Sequence, residues 1–339
     1  MPATYGITDF ILSNLLMKNI LENMNIMNKV TTMAATAALS MAMVTVSVPT
    51  LAADSSEPIV IPTHNWSSQI VMAHVIGQIF ESIGDIVNYT PSDSQTVYES
   101  IRQGDITISH EVWESTFGAS FKAALDKGGI LDAGTHVAKT REEWWYPAYV
   151  AELCPGLPDW KALDACADKF ATADSGGKGR YLDGPMDWHG QETLDRIDAL
   201  GMNFVAKFAG SASALWAELE SANAAGRATV VFNWSPNFTD AVYGGDFVKF
   251  PDWSEGCKKS EGGDGKCGSP PAGWLKKAAH DQMPVKWPHA YKTFTNISFT
   301  AAQIGAMAAM VDIDGLSAED AAAKWIGDNA KLVASWTNS

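Results

Sequence analysis

The sequence predicts an α/β protein of two lobes around a cleft, and three observations predict it. Strand-like and helix-like segments alternate over residues 57–108. A second alternation follows, ending near Trp234. Tryptophans fall on loops where predicted strands end. Alternation of this kind is the signature of a parallel sheet with crossover helices, whose ligands sit beyond the carboxyl ends of the strands.

Glu57 to Pro62 reads as the first strand, with Ile59-Val60-Ile61 apolar. A helix starts at Ser67, capped by Ser67 or Asn65, and Ile70, Val71, His74, Val75, Gln78 and Ile79 recur on one mostly apolar face. Ile86 to Tyr89 is a second strand, Ser94 to Gln103 a helix stopped by Gly104, and Ile106 to Ile108 a third strand. Trp145 to Val150 reads as a strand crossing to the second lobe. There, Phe170 to Thr172 is a candidate strand, Gln191 to Leu200 a helix, Phe204 to Ala206 a strand, Ser213 to Ala225 a helix, and Thr229 to Phe232 a strand leading to Trp234. The Gly-rich, charged stretch Glu255 to Gly273 reads as a surface loop; without EF-hand spacing, its acids do not make a Ca²⁺ site. The chain then returns to the first lobe: Phe294 to Phe299 is strand-like, Thr300 to Met310 helical, and Ser317-Ala318-Glu319-Asp320 resembles a capping box opening a helix towards Trp336. The resulting division is 1–52 leader, 53–147 first part of lobe 1, 148–288 lobe 2 and 289–339 the return segment. Two crossings between lobes make a hinge that a ligand can close.

Composition narrows the function. The chain is 46% hydrophobic and 19% charged with formal net charge −15, which suits a globular protein and excludes a nucleic-acid partner, because phosphate binding needs a concentrated basic surface. Residues 27–53 follow signal-peptide order: Met27-Asn28-Lys29-Val30, an apolar run from Met33 to Val48, then small residues to Ala53. That run is short for a membrane span. Export with cleavage near Ala53 is expected, and with no cysteine at the cleavage region no lipid anchor is expected, which points to a periplasm. The four cysteines form two local pairs, Cys154/Cys166 and Cys257/Cys267. An even count in an exported chain reads as disulfides, and the sequential pairing closes loops of about ten residues, worth about 2–3 kcal/mol each. Neither pair has metal-site spacing, so no metal is expected.

Thirteen tryptophans sort by setting. Trp66, Trp113, Trp188 and Trp234 lie in polar, turn-like surroundings, and Trp144 and Trp145 follow a Glu pair. Trp325 and Trp336 fall on an amphipathic helix and read as core, while Trp160, Trp216, Trp253, Trp274 and Trp287 read as packing or surface. An indole on a loop offers a π face, and a π face holds a methylated ammonium that has no N–H to donate.

Several segments together carry a family resemblance: Val97 to Trp113, the Trp-Tyr-Pro-Ala-Tyr-Val stretch 145–150, Trp188-His189-Gly190, Phe232-Asn233-Trp234-Ser235-Pro236, and Ala322-Ala323-Lys324-Trp325-Ile326-Gly327. Over most of 57–337 the chain resembles the substrate-binding proteins of ABC importers for glycine betaine and related solutes. The resemblance implies a two-lobed periplasmic binding protein fold, type II-like, with the ligand in the interlobe cleft. It also implies an inner-membrane ABC permease with its ATPase as partners, no cofactor, and no enzymatic activity. By position, Trp113, Trp188 and Trp234 match the family's aromatic box, Trp66 makes a fourth wall, and Trp145 or Trp144 a fifth. Each such contact is worth about 2 kcal/mol when desolvated. The family holds a ligand carboxylate on backbone N–H groups, here those of His189 and Gly190, aided by the following helix N-terminus. A family histidine near the first box tryptophan has no counterpart; the stretch is Glu114-Ser115-Thr116-Phe117. Acids stand near the aromatics instead, among them Glu111, Glu114, Glu142, Glu143, Glu152 and Asp187. They favour a ligand with a small or weak anionic end, so trimethylamine N-oxide and choline compete with glycine betaine and dimethylsulfoniopropionate. Two rivals remain. One is a glycoside-active enzyme using Glu111 and Glu114, against which the chain lacks GxSxG and HExxH motifs. The other is a receptor for a sugar or amino acid.

Overall fold

The computed structural model describes residues 54–338; the expected leader and signal peptide lie outside the described residues. β1 (Ile59–Thr63) and β2 (Val87–Pro91) pair in parallel, Ile59 opposite Val87. They are joined by α1 (Ser67–Ser82). This helix buries Val71, Met72, Val75, Ile76, Ile79 and Phe80. It is apolar on more than one face because the returning C-terminal helices cover its other side. Neither expected residue caps it. Trp66 holds the N-cap position in extended geometry without a side-chain bond, while Ser67 Oγ donates to Asp312 Oδ1 at 2.6 Å. α2 (Val97–Gln103) ends on Gly104 at φ +87°, the left-handed conformation open to glycine.

The third strand departs from the sequence reading. β3 (Ile108–Trp113) starts later, ends on Trp113, and pairs antiparallel with β9 (Gly273–His280) instead of extending a parallel sheet. The reason is local: Val60 N–H is taken by the Thr107 hydroxyl at 2.9 Å, and Thr107 N–H donates to Val60 O. A side chain thus replaces the rung that would continue the ladder. α3 (Glu114–Lys127) follows directly.

β4 (Ile130–Pro147) links the two halves. Ile130 to Thr140 pairs with β9, and Arg141 to Trp145 pairs with β7 (Val231–Ser235). One strand of 18 residues therefore serves both lobes, where the sequence suggested only a crossing at 145–150; Val150 already begins a helical turn. The larger sheet runs β3-β9-β4-β7-β5-β6, with β8 (Gly245–Phe247) also on β4. β5 (Gly179–Asp183) and β6 (Phe204–Phe208) are parallel. By pairing, residues 273–280 group with the first-lobe strands, whereas the sequence placed them in the 148–288 segment.

Two further segments differ. Phe170 to Thr172 is not a strand: Ala167–Phe170 is a 3-10 turn, and Ala171 makes a lone bridge to Gly179. Phe294 lies in a helix, α7 (Pro288–Asn296), because Ala290, Thr293 and Phe294 recur on one buried face. α4 (Trp160–Ala165) precedes the first of these segments, and α5 (Gln191–Leu200) and α6 (Ala212–Ala225) lie between the two. Thr300 forms a full capping box with Gln303 at α8 (Ala301–Asp312). Ser317 caps α9 (Ala318–Asp328), which stops at Asn329 before α10 (Ala330–Thr337). Trp325 and Trp336 are buried and stack with Phe299 edge-on between them. The cysteines pair sequentially, Cys154–Cys166 and Cys257–Cys267.

Candidate functional site

Four tryptophans from four separate elements meet around one cavity. Trp66 and Trp113 are the residues between a strand and its helix, both in extended geometry, so they stand at the carboxyl ends of β1 and β3. Trp188 sits in the Met186–Gly190 π turn that opens α5. Trp234 lies on β7. The rings meet at near right angles: Trp66 to Trp188 at 5.7 Å and 88°, Trp188 to Trp234 at 5.7 Å and 81°, Trp113 to Trp234 at 6.5 Å and 73°. Phe117 stacks parallel to Trp66, and Phe232 meets Trp188 edge-on. Together with Thr116 and Glu142 these six rings line one small cavity.

The strand register explains which acid reaches the cavity. On the β4–β7 pair Glu142 lies directly opposite Trp234, and directly paired residues share a face. Glu143, the next residue, takes the other face. It binds Arg196 Nη1 at 2.6 Å and accepts from Ser269 N–H at 2.8 Å. Glu143 therefore stands outside the cavity lining. Trp145 does too: it is fully buried beside Gly245 of β8. Trp144 is core, stacked on Tyr181 at 3.7 Å.

Glu111 stands behind the rings. Its Oε2 accepts from Trp66 Nε1 at 2.6 Å and Trp113 Nε1 at 3.0 Å. Burial pushes its pKa up to about 7, against the hydrogen bonds from Trp66, Trp113 and Ser68.

The polar pole of the cavity is a chain of five side chains. Thr116 Oγ1 donates to Glu142 Oε1 and lies against His189 Nε2. Ser115 N–H donates to Glu142 Oε2 at 3.0 Å. His189 Nδ1 is 3.5 Å from Glu192 Oε2, and Lys258 Nζ donates to Glu192 Oε1 at 2.7 Å and to Ser115 O at 2.9 Å. Burial opposes charge on His189, but its bonds to Glu142 and Glu192 outweigh that and raise its pKa to about 9. Burial likewise opposes charge on Glu192, and His189 and Lys258 hold it down to about 2. The His189 imidazole thus stands behind Thr116 and Glu142. Gly190 packs against Met186 and Phe208, and neither His189 nor Gly190 lines the cavity.

Asp183 fixes the Trp188 turn: Oδ1 accepts from Gly184 N–H at 2.8 Å, and Oδ2 from the Thr193 hydroxyl at 2.5 Å. Sequence reasoning missed Thr116, Phe117 and Phe232 as lining residues and gave Glu142 no rank over Glu143. The alternation of β4 was the signal that would have separated the two acids, had the strand been recognised.

Comparison with known proteins agrees in kind. The family model described as the substrate binding domain of ABC-type glycine betaine transport system matches residues 57–328. A trimethylamine N-oxide-binding protein of Pelagibacter ubique (strain HTCC1062) is 59% identical over 292 residues, covering 84% of this chain and 91% of that one. Among solved structures, an ABC-transporter choline binding protein in complex with choline superposes with TM-score 0.68 at 18% identity, over 83% of this chain and 91% of that one. Lactococcal OpuAC, closed on glycine betaine, does so with TM-score 0.63 at 18% identity, over 83% of this chain and 99% of that one. At these identities the two structures establish the two-lobed fold.

Proposed function

The chain belongs to the family of substrate-binding domains of ABC-type glycine betaine transport systems, and from that premise we propose that it captures trimethylamine N-oxide in the tryptophan-lined cavity. That family consists of transport receptors, not enzymes, working outside the cytoplasmic membrane. The observation that carries the choice of ligand is the cavity wall: four indoles with Glu142 and Thr116 at one pole.

The physics runs from the ligand's two ends. A trimethylated nitrogen carries diffuse positive charge and no N–H, so it cannot be held by hydrogen bonds, while ring faces attract it. Rings at right angles present several faces to one point. The other end must be small. Glu142 on the wall repels a ligand carboxylate, which weighs against glycine betaine and dimethylsulfoniopropionate. An N-oxide oxygen needs only a donor, and the Thr116 hydroxyl on the cavity wall supplies one by turning from Glu142 to the ligand. Choline, with a hydroxyl in place of the oxide, is the second candidate, since a hydroxyl can donate to Glu142.

Delivery follows the family pattern. The protein is secreted into the periplasm on a cleaved signal peptide, and its closed form docks on an inner-membrane permease driven by a separate ATPase. Intrinsic fluorescence tests the ligand assignment, since the cavity is built of indoles. Trimethylamine N-oxide should give a saturable change at lower concentration than choline, glycine betaine, dimethylsulfoniopropionate or carnitine. Saturation by sugars or amino acids alone would overturn the reading.

A further inference from the structure

Glu111 combines three features that a purely structural acid does not need. One oxygen, Oε2, receives both Trp66 Nε1–H and Trp113 Nε1–H, with Ser68 Oγ further off at 3.4 Å. The other, Oε1, is buried without a hydrogen-bond partner. The side chain is 1% exposed, and among the described residues no cation pairs with it. A neutral acceptor such as glutamine would satisfy two indole N–H groups without the cost of burying an unpaired charge.

The titratable groups packed around this side chain do not neutralise it. His110, next to it on β3, donates from Nε2 to Gln69 O, and burial holds its pKa down at about 3. His136, bonded to His110 O, is held equally low by burial and by Lys277. His64 stacks on Trp66 and is also lowered by burial. Lys277 is spent on the carbonyls of Phe294, Thr295 and Ile297. Asp312, bonded to Ser67, and Glu142 across the cavity are acids.

We propose that Glu111 is a positioning and specificity-determining residue: it fixes the planes of Trp66 and Trp113 through their N–H edges and supplies the counter-charge for a cationic head held by their faces. This rests on the cavity being an onium cage. Two indoles donating to one carboxylate are pinned relative to each other, which spares the ligand the cost of ordering them. Donation to an anion also polarises each indole, making its face more negative and a better seat for a cation. The unpaired charge is then compensated only when a cation arrives. In the ligand-free protein the raised pKa leaves Glu111 partly protonated near neutral pH. A cation in the cage favours the ionised form, so binding expels a proton from the Glu111 carboxyl to the buffer, and affinity for cations rises as pH passes upward through about 7.

The experiment has a ligand-free arm and a ligand arm. The intact protein with ¹⁵N-indole tryptophan is titrated by NMR from acid to alkaline pH, with Trp66→Phe and Trp113→Phe identifying the two signals. Both indole N–H resonances should shift together with one midpoint near neutrality, and neither should shift in Glu111→Gln. Choline and trimethylamine N-oxide are then titrated calorimetrically in two buffers of different ionisation enthalpy. Choline, cationic overall, should release protons on binding to the natural protein and none to Glu111→Gln. The variant should lose about tenfold more affinity for choline than for the net-neutral oxide, the equivalent of one pKa unit of coupling. Indole signals insensitive to pH, or equal losses for both ligands with unchanged proton release, would overturn the proposal. If the indole signals titrate as expected and no onium compound binds the natural protein, the onium cage falls and Glu111 keeps only its ring-positioning role.

Discussion

On the proposed function, Trp113 and Glu143 separate binding from support. Trp113 faces the cavity, so Trp113→Ala removes one aromatic wall worth about 2 kcal/mol, or about 30-fold in affinity, beside the stability lost with its packing and its bond to Glu111. Glu143 is an intended ligand residue by sequence but pairs with Arg196 in the interior, with exposures of 3% and 8%. Glu143→Gln leaves a buried guanidinium without its anion, so thermal stability should fall by about 3–5 kcal/mol while affinity moves only slightly. Calorimetry and thermal melts on the two variants check both halves. His189 gives a pH signature. Its folded pKa of about 9 lies above the free value of 6.5, so its stabilisation is complete below about 6.5 and is lost as pH rises through about 9. Its partner Glu192, held at about 2 against 4.5, contributes above about 4.5 and loses that only in strong acid. The melting temperature should therefore decline between pH 7 and 10, and the decline should flatten in His189→Gln.

At the scale of elements, the turn that carries Trp188 depends on one missing side chain. A Cβ on Gly184 would lie 2.4 Å from Trp188 Cε3, and the backbone there is pinned by Asp183. Gly184→Ala must displace the ring, so ligand binding should be lost or weakened by more than tenfold while the far-ultraviolet circular dichroism stays unchanged. An affinity equal to that of the natural protein would show that Trp188 is free to move. The same scale shows what the sequence could reveal. The β1-α1-β2-α2 run was legible from Ile59, Val71, Val75 and Ile79, which the structure buries. The first half of β4 was not, because Asp132, Gly134, Lys139 and Arg141 disguise a strand whose outer face is solvated. β9, with Lys276 and Lys277, was hidden the same way: Lys277 is a charged side chain buried for its bonds to backbone carbonyls. Phe294 misled because an aromatic next to threonines suits a strand locally, and only the packing of Ala290 and Thr293 made it helical.

Across the molecule, the cage is completed only when both lobes contribute. Trp66, Trp113, Thr116 and Phe117 come from one side of β4's midpoint, and Trp188, Phe232 and Trp234 from the other. Those tryptophans were legible because an indole in a polar turn has no packing role to explain it; their mutual right angles were not, since these depend on pairings distant in sequence. Two polar contacts join the two sets: Gln95 Nε2 donates to Asp187 O at 2.8 Å, and Lys258 joins Glu192 to Ser115 O. Lys258 sits on the loop closed by Cys257–Cys267. Lys258→Met should therefore weaken ligand binding severalfold through faster release, read as an increased off-rate in stopped-flow fluorescence, with the association rate little changed.

The central claim is that tryptophans from both lobes cage a methylated onium head. Calorimetric titration of the purified protein with trimethylamine N-oxide, beside the Trp66→Ala/Trp234→Ala double variant, tests it most directly because one ring is removed from each lobe. The account predicts tight one-to-one binding to the natural protein and none measurable to a folded double variant. Undiminished binding to that variant, or no binding of any methylated onium compound to the natural protein, would contradict it.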